Sequence, residues 1–194
     1  MRKANKYLNS KILTDNLTYK PGSSTSKQIS ELLLQEQRSF CAYTDEYISR
    51  TDARDIEHFN PKLKDTSQDN YYNWFLVKHQ WNKEKSYKWD NYQPILHPTA
   101  ADFEARVVYL DGDYFAKSDL DVEAKNLIDL LKLDDAELAN KRKRYIARKR
   151  KEMKAYGQDA LTFFSALVKE DNCGVSYLRA IKEEFGIDVW NMLK

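Results

Sequence analysis

The sequence predicts an α+β fold, with strands in the first half and helices through most of the second. Three observations carry this. Strand-like runs bounded by Pro, Gly or Asn occur only before Asp121, the pair Asp111-Gly112 separates two of them, and from Asp121 onward apolar residues recur at helical spacing. A chain of 194 residues suits one well-buried core rather than two large domains. Residues 1–194 are therefore read as a single domain with an arm at 1–26, a core region at 27–99, and a hairpin plus helical region at 100–194.

Residues 1–26 mix charge, Asn and Ser with a Pro-Gly-Ser-Ser turn and read as an arm feeding the first helix. Either Ser26 or Ser30 caps a helix over 27–40, with Ile29, Leu32, Leu33 and Phe40 on one face. Cys41 to Thr44 close it and lead to a β-like run ending at Ile56-Glu57-His58-Phe59, and Pro61 stops regular structure there. Residues 62–70 are polar loop. Asn73 to Val77 suit a buried second strand or a turn, and a helix starting near His79 to Asn82 completes a β-β-α unit. Pro94 to Thr99 form an extended clamp, and 106–115 read as a small hairpin turning at Asp111-Gly112. Leu127, Ile128, Leu131 and Leu133 end one helix. Asp134 or Asp135 caps the next, through Lys151, and 158–169 and 174–185 supply two more.

Composition narrows the class. Charged residues make up 32% of the chain, and no apolar run approaches the ~20 residues a membrane span requires. No apolar segment of signal-peptide length follows the basic start. Cys41 and Cys173 are the only cysteines, which implies no disulfide framework. A cytoplasmic protein without membrane contact is expected.

Inside the β-β-α unit Glu57 adjoins His58, and Asn73 and Asn82 follow. Phosphodiester hydrolysis needs an activated water, counter-charge for the developing phosphorane and help for the leaving oxygen. A base with hard oxygen ligands for a divalent metal provides these. His58 titrates near neutral pH and is the candidate base. Glu57 and the Asn82 side-chain oxygen are the candidate metal ligands, a set suited to Mg²⁺ or Mn²⁺. Asn73 is read as a scaffold residue whose amide bonds loop backbone and holds His58. Lys62 and Lys85 are candidate phosphate contacts or solvated lysines. Adjacent residues on a regular strand face opposite ways, so Glu57 and His58 share a site only where the strand twists or ends, which Pro61 favours. His97 is read as a packed or surface histidine ahead of a neighbour to the metal.

The order Glu-His, Asn, Asn resembles the ββα-metal core of HNH nucleases. Pro-Lys after the histidine and Asn-x-x-Lys after the aromatic run sharpen it, where a Glu-His pair alone would arise by chance. Cys41 to Glu46, Ile56 to Lys62, Pro94 to Thr99, Asp111-Gly112 and a Leu-rich helix with a basic continuation at 130–145 extend the likeness. Together they resemble the HNH proteins that accompany ATPases in retron- and Septu-type bacterial defence operons. The resemblance implies an HNH core with flanking helices and a metal-dependent endonuclease with Glu57, His58, Asn73 and Asn82 as the catalytic set. It further implies DNA ahead of RNA as substrate, a role in anti-phage defence, and an ATPase partner. In that family two Cys-x-x-Cys pairs hold a structural zinc. The matching positions here are Cys41, Thr44, Lys78 and Trp81, so no structural zinc is expected. Trp81 is large enough to fill the vacated volume, with Trp74, Phe75, Tyr43 and Cys41 around it.

Lys141 to Lys151 hold eight cations in eleven residues and no acid. A solvated helix interleaves both signs, so the run favours phosphate contact through Lys141, Arg142, Arg144, Arg148 and Lys149. Pairing with the acidic 119–137 stretch, or with an acidic partner protein, are the other readings. Three functions follow: the endonuclease, a catalytically silent nucleic-acid-binding or adaptor module on the same scaffold, and a nuclease subunit latent until an ATPase partner assembles with it.

Overall fold

The computed structural model describes residues 1–85 and 88–193, Glu84 by its backbone alone. The fold is α+β, with two small antiparallel sheets set among helices. The residues read as an arm are drawn into the core instead. Met1 and Ile12 are buried, the Ala4 N–H donates to the Pro98 carbonyl at 2.9 Å, and Ser10 caps a single helical turn, α1 (Lys11–Thr14).

The first long helix, α2 (Ser24–Glu36), begins before the expected position. Its cap is neither Ser26 nor Ser30, because Ser23 Oγ accepts the Ser26 N–H at 3.1 Å. Ser26 is spent on the turn itself, its hydroxyl donating to the Lys20 carbonyl at 2.7 Å. Ile29 and Leu33 are buried, while Phe40 lies past the helix end and joins a different cluster.

Strands β1 (Arg54–His58) and β2 (Trp74–Lys78) pair antiparallel, with Glu57 opposite Phe75 and His58 opposite Trp74. Asn73 closes a 3-10 turn just before β2. Helix α3 (His79–Lys85) follows β2 directly. Short α4 (Phe103–Arg106) leads into the hairpin of β3 (Val107–Leu110) and β4 (Asp113–Ala116). Asp111 (φ 46°) and Gly112 (φ 83°) are both left-handed, as a two-residue turn matched to strand twist requires. Gly112 is needed for a second reason. A Cβ there would lie 2.6 Å from the Ala139 carbonyl oxygen.

Helices α5 (Val122–Leu131), α6 (Ala136–Tyr156), α7 (Ala160–Glu170) and α8 (Leu178–Phe185) follow. Asp121, Asp135 and Asp159 each accept the N–H three residues on, at 3.0, 2.9 and 3.0 Å. The α6 cap is thus Asp135, not Asp134. Apolar side chains form two clusters. One joins α2, β1, β2 and α5 around Trp74, Phe75 and Leu127, and the other joins α6, α7 and α8 around Phe163, Phe164 and Ile181. Trp81 and Tyr109 are half-buried against both. Among the described residues no helix is long and apolar enough to cross a membrane.

Gly112→Ala is expected to cost about 2 kcal/mol or more, since left-handed strain adds to the Ala139 contact. Urea denaturation measures it, and a loss under about 0.5 kcal/mol would mean that turn and helix yield freely.

Candidate active site

Period-two alternation puts Asp55 and Glu57 on one face of β1, and helical spacing puts Asn82 and Lys85 on one face of α3. The two faces meet as a ladder of two rungs. At the first, Asp55 Oδ2 accepts Asn82 Nδ2–H at 2.9 Å and lies 2.8 Å from His79 Nδ1. At the second, the Lys85 ammonium grips Glu57 Oε1 while the Tyr43 hydroxyl donates to Oε2. Glu57 and Lys85 are 2% and 4% exposed, so the pair is sealed from water. Lys85 also donates to the His58 and Phe59 carbonyls at 2.8 and 2.5 Å. Burial pushes the Lys85 pKa down and Glu57 opposes the shift.

His58 is the last residue of β1 and is nearly buried. Its ring meets Tyr19 edge-on at 4.6 Å. Asp69 Oδ2 lies 3.1 Å from Nε2 but off the line of a hydrogen bond, so that nitrogen has no partner among the described residues. Burial holds the pKa below the ordinary 6.5, against the pull of Asp69 and Glu57. The turn after His58 is fixed by Asn73. Its Oδ1 accepts the Asn60 N–H at 2.7 Å, and its Nδ2 donates to the Asn60 carbonyl at 3.1 Å and to Asp69 Oδ1 at 3.0 Å. Trp74 Nε1–H donates to the same Asp69 oxygen at 2.7 Å.

Asp55, Glu57, His58, Asn82 and Lys85 all line one cleft of about 540 Å³. Lys27, Arg54 and Lys64 line it too, with Tyr19. Arg54 is paired with Glu31 at 2.5 Å, whereas Lys27 and Lys64 form no ion pair among the described residues. The structure therefore brings Glu57, His58 and Asn82 to one cavity and sets Asn73 behind it as a brace. It does not join Glu57 to Asn82. A divalent cation at Glu57 does not fit this arrangement, because an ammonium and a hydroxyl already hold its two oxygens and Asn82 is turned to Asp55.

Other expected positions fall as follows. Lys62 is exposed, pairs with Asp90 at 2.5 Å and is not part of the cleft wall. Lys85 is spent internally and is not free to meet a phosphate. In the basic run, Arg142 and Lys149 are corrected. Arg142 is 0% exposed, donating at 2.9 Å to the Gly112 and Leu133 carbonyls, and buried Lys149 pairs with Glu152 at 3.0 Å. Lys141, Arg144 and Arg148 are exposed, with Lys141 paired to Glu137 at 3.1 Å. Of the zinc-knuckle positions, Cys41 and Thr44 are buried, and burial raises the pKa of the Cys41 thiol. The Lys78 side chain turns to Asp52 at 3.1 Å. His97 packs on Phe59, centroids 4.9 Å apart, and burial with Lys6 nearby lowers its pKa to about 4.

Sequence reasoning missed Asp55, Asp69 and Tyr43 as parts of the site. Asp55 was available from strand alternation alone. Asp69 sits in a polar loop eleven residues past His58, and nothing in its spacing marks it.

Compared with known proteins, the chain matches no family model, no curated protein and no solved structure.

The His58 ring is expected to titrate below 6.5 when followed by NMR, and Asp69→Ala to lower the midpoint further, since the Asp69 charge favours the imidazolium. A midpoint above 6.5 would show that the carboxylate outweighs burial.

Proposed function

We propose that the chain is a phosphodiester hydrolase of the HNH type, an endonuclease acting on DNA ahead of RNA, with a role in anti-phage defence. His58 carries the reading: a neutral imidazole on the wall of a cationic cleft, its turn braced by Asn73. The Asp69 carboxylate beside Nε2 favours the tautomer with hydrogen there, which leaves Nδ1 to take a proton from water. Lys27 and Lys64 offer counter-charge to a phosphate in the cleft. A neutral base is required, so activity is present above the His58 pKa and is lost as pH falls through it.

Mg²⁺ or Mn²⁺ is the cofactor the HNH resemblance implies. Lys85 occupies the carboxylate that would take it, and this favours a second reading: hydrolysis stays latent until a partner, an ATPase by the defence-operon resemblance, moves α3 and frees Glu57. Supercoiled plasmid incubated with either ion separates the possibilities. Nicking should fall about 100-fold or more in His58→Ala, and unchanged nicking would remove His58 as the base. Nicking only with the ATPase present supports latency. Plasmid retarded in a gel yet never cut supports a silent binding module.

Arg144, Arg148 and Lys151 recur along one exposed face of α6 and supply the nucleic-acid contact that Arg142 and Lys149 do not. Replacing all three with alanine should flatten the slope of log affinity against log salt by about 2 to 3 on a short duplex. An unchanged slope would place the contact elsewhere.

A further inference from the structure

A second cleft, of about 400 Å³, lies against the turn that follows His58. Its chemistry is unlike that of the catalytic cleft. Among the described residues its lining holds no aspartate, glutamate, lysine or arginine, and His97, its one imidazole, is neutral at physiological pH because its pKa is about 4. Phe59 and Trp89 form an apolar floor at 3% and 8% exposure, edge-to-face with centroids 5.2 Å apart. Tyr72, 44% exposed, stands at the mouth. Gln68 and Asn60 add amide groups, and among the described residues the Gln68 side chain and Asn60 Nδ2 have no hydrogen-bond partner.

The backbone that carries the two rim residues, Gln68 and Tyr72, is held in place before any ligand arrives. Asn70 Oδ1 accepts the Tyr72 N–H at 3.0 Å, and Asn70 Nδ2 donates to the Gln68 carbonyl at 3.0 Å. One amide thus sets the backbone on both sides of the opening, so less ordering cost falls on binding. Between them in sequence is Asp69, which faces His58 Nε2 at 3.1 Å. The loop that shapes this pocket is therefore the loop that orients the proposed base.

A neutral pocket of rings and amides has nothing for a phosphate or a metal ion. It suits a flat heteroaromatic with a polar edge, stacked on an aromatic face and read by amide donors and acceptors. Glutamine and asparagine match the adjacent donor and acceptor on adenine. Resting on the nuclease reading above, we infer that this cleft takes one unstacked base of a single-stranded nucleic acid, adenine preferred, while the neighbouring backbone enters the cationic cleft beside His58.

Fluorescence anisotropy with labelled single-stranded DNA tests this. An adenine oligomer is compared with an abasic oligomer of equal length, on the wild-type chain and on Tyr72→Ala and Gln68→Ala, both exposed positions that leave the core intact. The adenine oligomer should bind about 5-fold or more tighter than the abasic one, with each variant removing that advantage and leaving abasic binding unchanged. Equal binding of the two oligomers, or an advantage that survives both variants, overturns the base pocket while the nucleic-acid reading stands. Binding of neither oligomer at low salt overturns the base pocket, and only a short duplex that also fails to bind in the same buffer overturns the nuclease reading with it. Adenosine monophosphate bound with the same variant sensitivity, when neither oligomer binds, would replace the polymer by a free nucleotide.

Discussion

The arrangement of the first half depends on one buried ammonium. Lys85 closes helix α3 against the end of β1 by meeting the Glu57 carboxylate and the His58 and Phe59 carbonyls together. Those carbonyls lie where the strand stops pairing, and buried carbonyls without partners are costly. Neither charge is tolerable alone at such depth, since removing one member of a buried pair costs about 3–5 kcal/mol. The strand end and the helix position are thus fixed by the same contact.

The same contact decides what the cleft can offer a substrate. The Glu57 charge is already balanced, so the field at the cleft wall comes from Asp55, shared with His79 and Asn82, and from Lys27 and Lys64, which have no ion pair among the described residues. His58 faces the other way on the strand, although the Glu57 charge still favours its imidazolium. Its ring meets Tyr19 and Trp74, and Asp69 lies beside Nε2. Strand alternation separates the two residues and the end of β1 lets both reach one cavity, which is how the expected conflict between adjacent side chains is resolved.

Much of this was legible from local chemistry. Asp111-Gly112 marked a turn because only a left-handed pair fits there, and the order of strand, strand and helix followed from apolar runs bounded by Pro61, Asn73 and His79. Asn73 as a brace was legible from its amide. What failed was long-range: the first twenty residues carry no strong period, yet Met1 and Ile12 are buried, with the Met1 ammonium 3.6 Å from Asp45 and the Ala4 N–H on the Pro98 carbonyl. The basic run failed differently. Tyr145 and Ile146 marked the inward face of α6, and Arg142 and Lys149 sit three or four residues from them on that face. Counting cations hid a distinction that helical geometry would have drawn.

Arg142 shows why such a residue is kept inside. It is fully buried with two guanidinium nitrogens unpartnered among the described residues, a cost that apolar packing would avoid. In return its remaining N–H groups tie the Gly112 carbonyl at the β3–β4 turn to the Leu133 carbonyl between α5 and α6, and its plane lies 4.5 Å over Tyr114. Leucine in its place would bury well but leave both carbonyls bare. Gly112 then answers to two demands that meet at one atom pair: a left-handed turn for the hairpin, and close approach to Ala139 on the helix that carries Arg142. Lys85 at a strand end and Arg142 at a turn each set a sunken cation on backbone oxygens. Lys27, Lys64, Arg144 and Lys151, by contrast, keep their charge at the surface.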